Sequence, residues 1–210
     1  MQSIAVVDYK SGNLLSIKRA VEKFNTKVKI TSDYDEILSS DKIILPGVGA
    51  FGNAINKLKS IRFTELIQEP KFKKIPLLGI RLGMQLLFDN SFELGSHKGL
   101  GLMKGDVKLL PKYNKNFFKI PNIGWHKLHL SPNKADLPNF FKYINPKDRF
   151  YFVHSYCVYP KELTYIKANY FFDKNAIPVI VSSNNIIGFQ FHPEKSGDSG
   201  LKLIQSFLNL

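Results

Sequence analysis

In the first half of the chain, short apolar runs alternate strictly with amphipathic stretches of helical length, and this alternation constrains the fold more than any other feature. SIAVVDY (3–9) reads as a strand and is followed by a helix over about 14–24; KVKIT (27–31) is a second strand and DEILSS (35–40) a short helix. KIILPG (42–47) gives a third strand, and the helix after it runs from 51 to about 68, with Ile55, Leu58, Ile61 and Leu66 apolar. IPLLGI (75–80) supplies a fourth strand that leads directly into LGMQLLFDN (82–90) as a helix. Parallel strands joined by helical crossovers produce this pattern, so the expected architecture is α/β: a three-layer sandwich around a mostly parallel central sheet.

The second half changes character. VKLLP (107–111), KLHLS (127–131), FYFVHSYCVY (150–159), TYIKANYFF (164–172), PVIVSS (178–183) and IIGFQF (186–191) are β-rich and aromatic, with Pro, Asn and Gly at the joints. They predict β additions to the sandwich. A closing helix over 200–210 keeps helical spacing at Leu201, Leu203, Ile204, Phe207 and Leu208. With 210 residues, 44% of them hydrophobic, and neither repeat nor linker, the expectation is one domain spanning 1–210.

The formal net charge of +13 raises the question of an acidic partner. The lysines, however, are scattered among asparagines (NKNFFK, NPKDR, DKNAI) without a block or an aromatic-interleaved basic motif, so they read as a solvated face and no nucleic-acid binding is expected. No apolar run reaches the roughly 20 residues that cross a bilayer, and the first residues enter a strand instead of a cleavable signal, so no membrane association and a cytoplasmic location are expected. The single Cys157 cannot form an internal disulfide. His97, His126, His129, His154 and His192 show no metal-ligand spacing, so neither a metal nor a cofactor is expected.

Three segments could carry chemistry. Gly79-Ile80-Arg81-Leu82-Gly83 lies between a strand and a helix in the pattern of a nucleophile elbow, which holds its middle residue in a strained turn above the sheet's carboxyl edge. Leu45-Pro46-Gly47-Val48-Gly49-Ala50-Phe51-Gly52 is a glycine-rich turn between a strand and a helix; it lacks the Lys-Ser/Thr ending of a phosphate loop and reads as an oxyanion turn. In Gly188-Phe189-Gln190-Phe191-His192-Pro193-Glu194, the His-x-Glu spacing lets a carboxylate orient an imidazole base. Each segment alone has an ordinary account as a steric turn or an exposed loop. All three, however, sit at carboxyl ends of predicted strands and can converge on one pocket.

These segments, with Asp8-Tyr9, Ser11-Gly12-Asn13-Leu14, LGI-x-LGMQLLF (78–88), GLG (99–101), PNIGWH (121–126), YFVHSY (151–156) and FQFHPEKSG (189–197), make the chain resemble, end to end, the glutaminase (HisH-type) subunits of imidazole glycerol phosphate synthases, which are class I glutamine amidotransferases of histidine biosynthesis. The resemblance implies a glutaminase in which an elbow cysteine forms a thioester, and ammonia passes to a (β/α)8-barrel cyclase subunit of the HisF type in a heterodimer. It also implies His192 as general base and acid, Glu194 as its orienter, the backbone of Gly47, Val48 and Gly49 with Leu82 N–H as the oxyanion hole, and Gln85, Glu93, Ser155 and Tyr156 as the glutamine pocket. Similar subunits feed sugar-modifying amidotransferases, and GWH at 124–126 departs from the commoner GWN.

Arg81 stands at the nucleophile position. A guanidinium stays protonated and offers no lone pair for acyl attack, so loss of glutamine hydrolysis is expected, leaving a structural or regulatory partner as the alternative role. A cation at a helix N-terminus is also disfavoured. Pairing of Arg81 with Glu93 or Glu194, partly filling the glutamine pocket, is the expected compensation. Cys157 lies within a strand with no elbow around it and reads as a buried structural cysteine.

Overall fold

The computed structural model describes residues 1–10, 12–111, 119–131 and 144–210; Ser11 of the N-terminal motif lies outside them. The predicted alternation is present as β1 (Ser3–Val7), α1 (Leu14–Glu22), β2 (Lys27–Thr31), α2 (Tyr34–Ser39), β3 (Lys42–Leu45), α3 (Phe51–Ser60), α4 (Phe63–Leu66), β4 (Leu77–Ile80) and α5 (Leu82–Leu86). The further strands and α-helix among the described residues are β5 (Phe88–Ser91), β6 (His97–Lys98), β7 (Met103–Leu109), β8 (Asn122–Lys127), β9 (His129–Leu130), β10 (Arg149–His154), β11 (Tyr156–Pro160), β12 (Ile166–Phe172), β13 (Asn175–Ser183), β14 (Ile186–Phe189) and α6 (Gly197–Leu208).

Eight strands form the central sheet in the order β2-β1-β3-β4-β14-β13-β12-β9. The first five are mutually parallel, and β13, β12 and β9 continue antiparallel. Side-chain alternation explains the three layers. Ile4, Val6, Ile44, Leu78 and Ile80 point to one face, where they pack with Ile17 and Val21 of α1 and Leu203, Ile204 and Phe207 of α6. Ala5, Val7, Ile43, Leu45 and Leu77 point to the other, against Ile37 of α2, Phe51 and Leu58 of α3, and Phe63 and Leu66 of α4. A strand apolar on both faces can only be covered from both sides, and here it is. A four-stranded sheet, β11-β7-β5-β6, and a β8–β10 ribbon make up the β additions.

Four predicted elements differ. The run KLHLS (127–131) is divided, Lys127 ending β8 in the two-stranded ribbon and His129–Leu130 forming β9 at the edge of the central sheet. The helix expected over 51–68 breaks after Ser60, because Arg62 takes the left-handed conformation (φ 58°), held with its guanidinium over the Tyr34 ring and bonded to Glu65. The helix expected over 82–90 ends at Leu86, and Phe88–Ser91 is a strand whose backbone pairs with β7. The run 150–159 is two strands parted at Ser155, with β10 pairing β8 and β11 pairing β7. That break turns the chain at the rim of the candidate site.

Candidate active site

Arg81 has φ 58° and ψ −116°, a conformation that an L-residue adopts only under constraint. The constraint is visible. The Arg81 N–H donates to the Phe189 carbonyl of β14 at 2.6 Å, and the first turn of α5 closes through Gln85 N–H to the Arg81 carbonyl at 3.2 Å. A Cβ on Gly83 would fall 1.8 Å from the Leu45 carbonyl oxygen, so only glycine lets α5 press against the end of β3. The elbow predicted from two glycines is therefore real, and its geometry belongs to the surrounding packing.

That close approach brings the glycine-rich turn, in which Gly49 has φ 97°, beside the elbow. Gly47, Val48, Gly49, Arg81, Leu82, Gln85, Glu93, Ser155 and Tyr156 line one cavity of about 190 Å³, together with Pro121, Val153, His154 and Gln190. The Gln85 amide nitrogen donates to the Tyr156 carbonyl at 3.1 Å and to Gln190 Oε1 at 3.0 Å, which orients its own carbonyl. Glu93 Oε2 accepts the Phe51 N–H at 2.7 Å, at the start of α3.

His192 and Glu194 meet on the other side of Arg81. His192 Nδ1–H donates to Glu194 Oε1 at 2.6 Å; a carboxylate only accepts, so the bond fixes the tautomer and leaves Nε2 as the basic nitrogen. Both side chains are almost wholly buried. Asn13 Nδ2 donates to the same Oε1 at 2.6 Å. Asn13 precedes α1 but makes no capping bond there, so its amide serves the Glu194 carboxylate instead. With Arg81, Gly47 and Val48, these three residues border a cavity of about 10 Å³. Arg81 thus borders both cavities, and every predicted site residue faces one or the other.

The expected ion pair is absent. Arg81 lies within 4 Å of neither Glu93 nor Glu194; its Nη2 donates instead to the Val153 carbonyl at 2.7 Å, and among the described residues its buried Nε has no partner. Glu194 Oε2 is likewise buried and, among the described residues, unpartnered. Burial pulls the Arg81 pKa down while the field of Glu194 opposes it, and the guanidinium stays charged. The half of the expectation that places Arg81 in the pocket holds, but its anchor is a β10 carbonyl and not a carboxylate.

Sequence reasoning also missed a buried relay behind the pocket. Asn122 Nδ2 donates to the Tyr170 hydroxyl at 3.1 Å, the hydroxyl donates to His154 Nε2 at 3.0 Å, and His154 Nδ1–H donates to the Tyr156 carbonyl at 2.9 Å. Burial depresses the His154 pKa to about 4, opposed by the bond to Tyr156 and assisted by the Arg81 charge. The neutral imidazole therefore holds the carbonyl that also receives Gln85. Cys157 is fully buried, and burial pushes its thiol up to about 12, far from a reactive thiolate. Among the described residues no three His, Cys, Asp or Glu side chains are grouped to hold a metal ion, and no helix is long and apolar enough to cross a membrane.

A family model described as glutamine amidotransferase class-I matches residues 5–209. The imidazole glycerol phosphate synthase subunit HisH of Lactococcus lactis subsp. lactis is 43% identical over 99% of this chain and 98% of its own length. The HisH subunit of Caldanaerobacter subterraneus subsp. tengcongensis is 44% identical over 97% and 96%. A solved structure titled PurLQS from Thermotoga maritima superposes with a TM-score of 0.70 at 21% identity, covering 100% of this chain and 99% of that one, a likeness of fold. Elbow, glycine turn and His-Glu pair sit together on a chain matched from end to end, and the chain belongs to the class I glutamine amidotransferase family, among its HisH subunits.

Proposed function

We propose that this chain is the HisH-type subunit of an imidazole glycerol phosphate synthase of histidine biosynthesis, that it docks a barrel-type cyclase as a heterodimer, and that it does not hydrolyse glutamine. The observation that carries the proposal is Arg81 at the strained elbow, in a site whose other parts are assembled.

In the family reaction a thiolate attacks the glutamine carboxamide carbon, the tetrahedral oxyanion is held by backbone N–H groups, and collapse expels ammonia after the imidazole protonates the leaving nitrogen. Water then hydrolyses the thioester with the same imidazole as base. This chain retains His192 for proton transfer, Glu194 and Asn13 to orient it, the turn at Gly47, Val48 and Gly49 with Leu82 N–H for the oxyanion, and Gln85, Glu93, Ser155 and Tyr156 around the substrate. It lacks only the atom that forms the bond. Docking is supported by the β8–β10 ribbon, where Ile123 (60% exposed) and Trp125 (48%) share a face and Trp125 rests on Tyr151, whose ring lies 6.0 Å from that of His192.

Glutamate release from L-glutamine, measured with a cyclase subunit present, tests the proposal. The Arg81 protein is expected at background, and Arg81→Cys is expected to raise release by at least about a thousandfold, as addition of a missing nucleophile does. Comparable release from the two proteins removes the basis for the inactive assignment. Failure of the pair to co-elute at micromolar concentration removes the basis for docking.

A further inference from the structure

Arg81 does more than remove a nucleophile: it changes what the cavity can recognise. Among the described residues, one Nη2 N–H of Arg81 is spent, on Val153. Its Nη1 has no acceptor among the described residues, and Arg81 lines the cavity of about 190 Å³, which leaves room for one small molecule. The same cavity holds an anion that does not neutralise it. Glu93 gives one oxygen to the Phe51 N–H and keeps the other, and Gln85, with both of its amide bonds made through nitrogen, keeps its carbonyl oxygen as an acceptor.

A cation and an anion that share a cavity without pairing suit a ligand carrying both charges. The ammonium of an amino acid has three donors and no acceptor, matching Glu93 and Gln85. The Arg81 end, with donors alone, matches an acceptor. A carboxamide would turn its NH2 donors towards the guanidinium and offer a single oxygen, whereas a carboxylate offers two oxygens and the opposite charge. We infer that the Arg81 cavity is a receptor for an amino acid with a carboxylate side chain, binding free glutamate in preference to glutamine. This rests on the reading of the cavity as an amino-acid pocket. It adds that Arg81 inverts the pocket's selectivity from the amide to the acid.

Calorimetric titration of the full chain with L-glutamate and L-glutamine tests it, with Arg81→Gln as the comparison and circular dichroism to verify its fold. A charge-assisted bond exceeds a neutral one by roughly tenfold in affinity, so the Arg81 protein should bind glutamate at least about tenfold more tightly than glutamine, and Arg81→Gln should erase or reverse that order. Glu93→Gln should weaken both ligands and keep glutamate ahead, which preserves the test if Arg81→Gln does not fold. Equal or tighter binding of glutamine by the Arg81 protein overturns the inference, as does a glutamate preference that survives in Arg81→Gln. So does binding that appears only after Arg81 is replaced; in all three cases the amino-acid pocket itself stands. Absence of binding by both ligands to both proteins overturns the pocket reading as well.

Discussion

His154 makes the stability of this protein depend on pH in a window where few other groups act. It is enclosed by β10, β11 and β12, with Nδ1–H on the Tyr156 carbonyl and Nε2 accepting from Tyr170, whose own hydroxyl is held protonated by burial. No face of the ring is left for a proton. In the unfolded chain the imidazole titrates near 6.5, and in the folded chain near 4, chiefly because burial disfavours the charged form. Between these values the unfolded state binds the proton and the folded state does not, so unfolding is favoured as pH falls. The contribution is fully present above about pH 6.5 and lost progressively towards pH 4. At about 1.4 kcal/mol per pH unit, the gap amounts to about 3 kcal/mol.

The assay is urea denaturation at steps from about pH 7 to about pH 4.5, on this protein and on His154→Gln. Glutamine can donate to the Tyr156 carbonyl through its amide nitrogen and accept from Tyr170 through its oxygen, but it takes up no proton. His126, half-buried and also depressed, first by burial and then by the Arg149 charge, titrates in both proteins. So do Glu36, Asp41 and Asp106, whose lowered pKa values act below the ordinary carboxylate range. The difference between the two proteins should therefore shrink as pH falls, with His154→Gln losing about 2–3 kcal/mol less than its parent over this range. Parallel curves for the two proteins would refute the buried neutral histidine.

Gly83→Ala should destabilise the chain by at least about 2 kcal/mol, because the new methyl would overlap the Leu45 backbone carbonyl and force α5 away from β3; an unchanged melting temperature would show that the close approach is not required. Cys157 should be inert to a thiol reagent at about pH 8 in the folded protein and react stoichiometrically in urea, since its thiol is buried and its pKa raised to about 12; rapid labelling without denaturant would contradict the enclosed position.

Where local chemistry decides the structure, the sequence is legible. KVKIT occupies 27–31 as read, and the elbow glycines announce a turn that packing then enforces. LGMQLLFDN misleads because its apolar residues satisfy helical spacing up to Leu86, while Phe88 and the residues after it are claimed by strand pairing with β7, some fifteen residues downstream. FYFVHSYCVY reads as one strand because nothing in its composition marks Ser155, where the chain leaves β8 for β7 as its partner. The break at Arg62 carries neither Gly nor Pro; the contacts of Arg62 with Tyr34 and Glu65 favour it.

The site divides along the same line. His192 and Glu194 are two residues apart, so their bond could be anticipated, whereas the Asn13 bond to Glu194 spans 181 residues. An Asn before a helix invites assignment as a cap, and only the fold shows its amide turned elsewhere. Charge alone directs Arg81 towards a carboxylate, yet the guanidinium binds a main-chain carbonyl 72 residues away, which no side-chain type in the sequence marks.

A cysteine placed at position 81 would enter the same elbow. The strain at Arg81, of order 1–3 kcal/mol for a non-glycine residue at such angles, is imposed by the Phe189 carbonyl and by the contacts of Gly83, none of which involves the Arg81 side chain. Cysteine at the same position inherits the same backbone and the same strain. What it loses is the bond to Val153, and what it removes is a part-buried charge, two terms of opposite sign. The substitution therefore leaves the elbow, the His192–Glu194 pair and the glycine-rich turn at 47–49 in place, and exchanges a guanidinium for a thiol beside a helix N-terminus, where a thiolate is favoured. Any glutamine hydrolysis gained by Arg81→Cys would then trace to the sulfur, since the backbone that holds it is the same in both proteins.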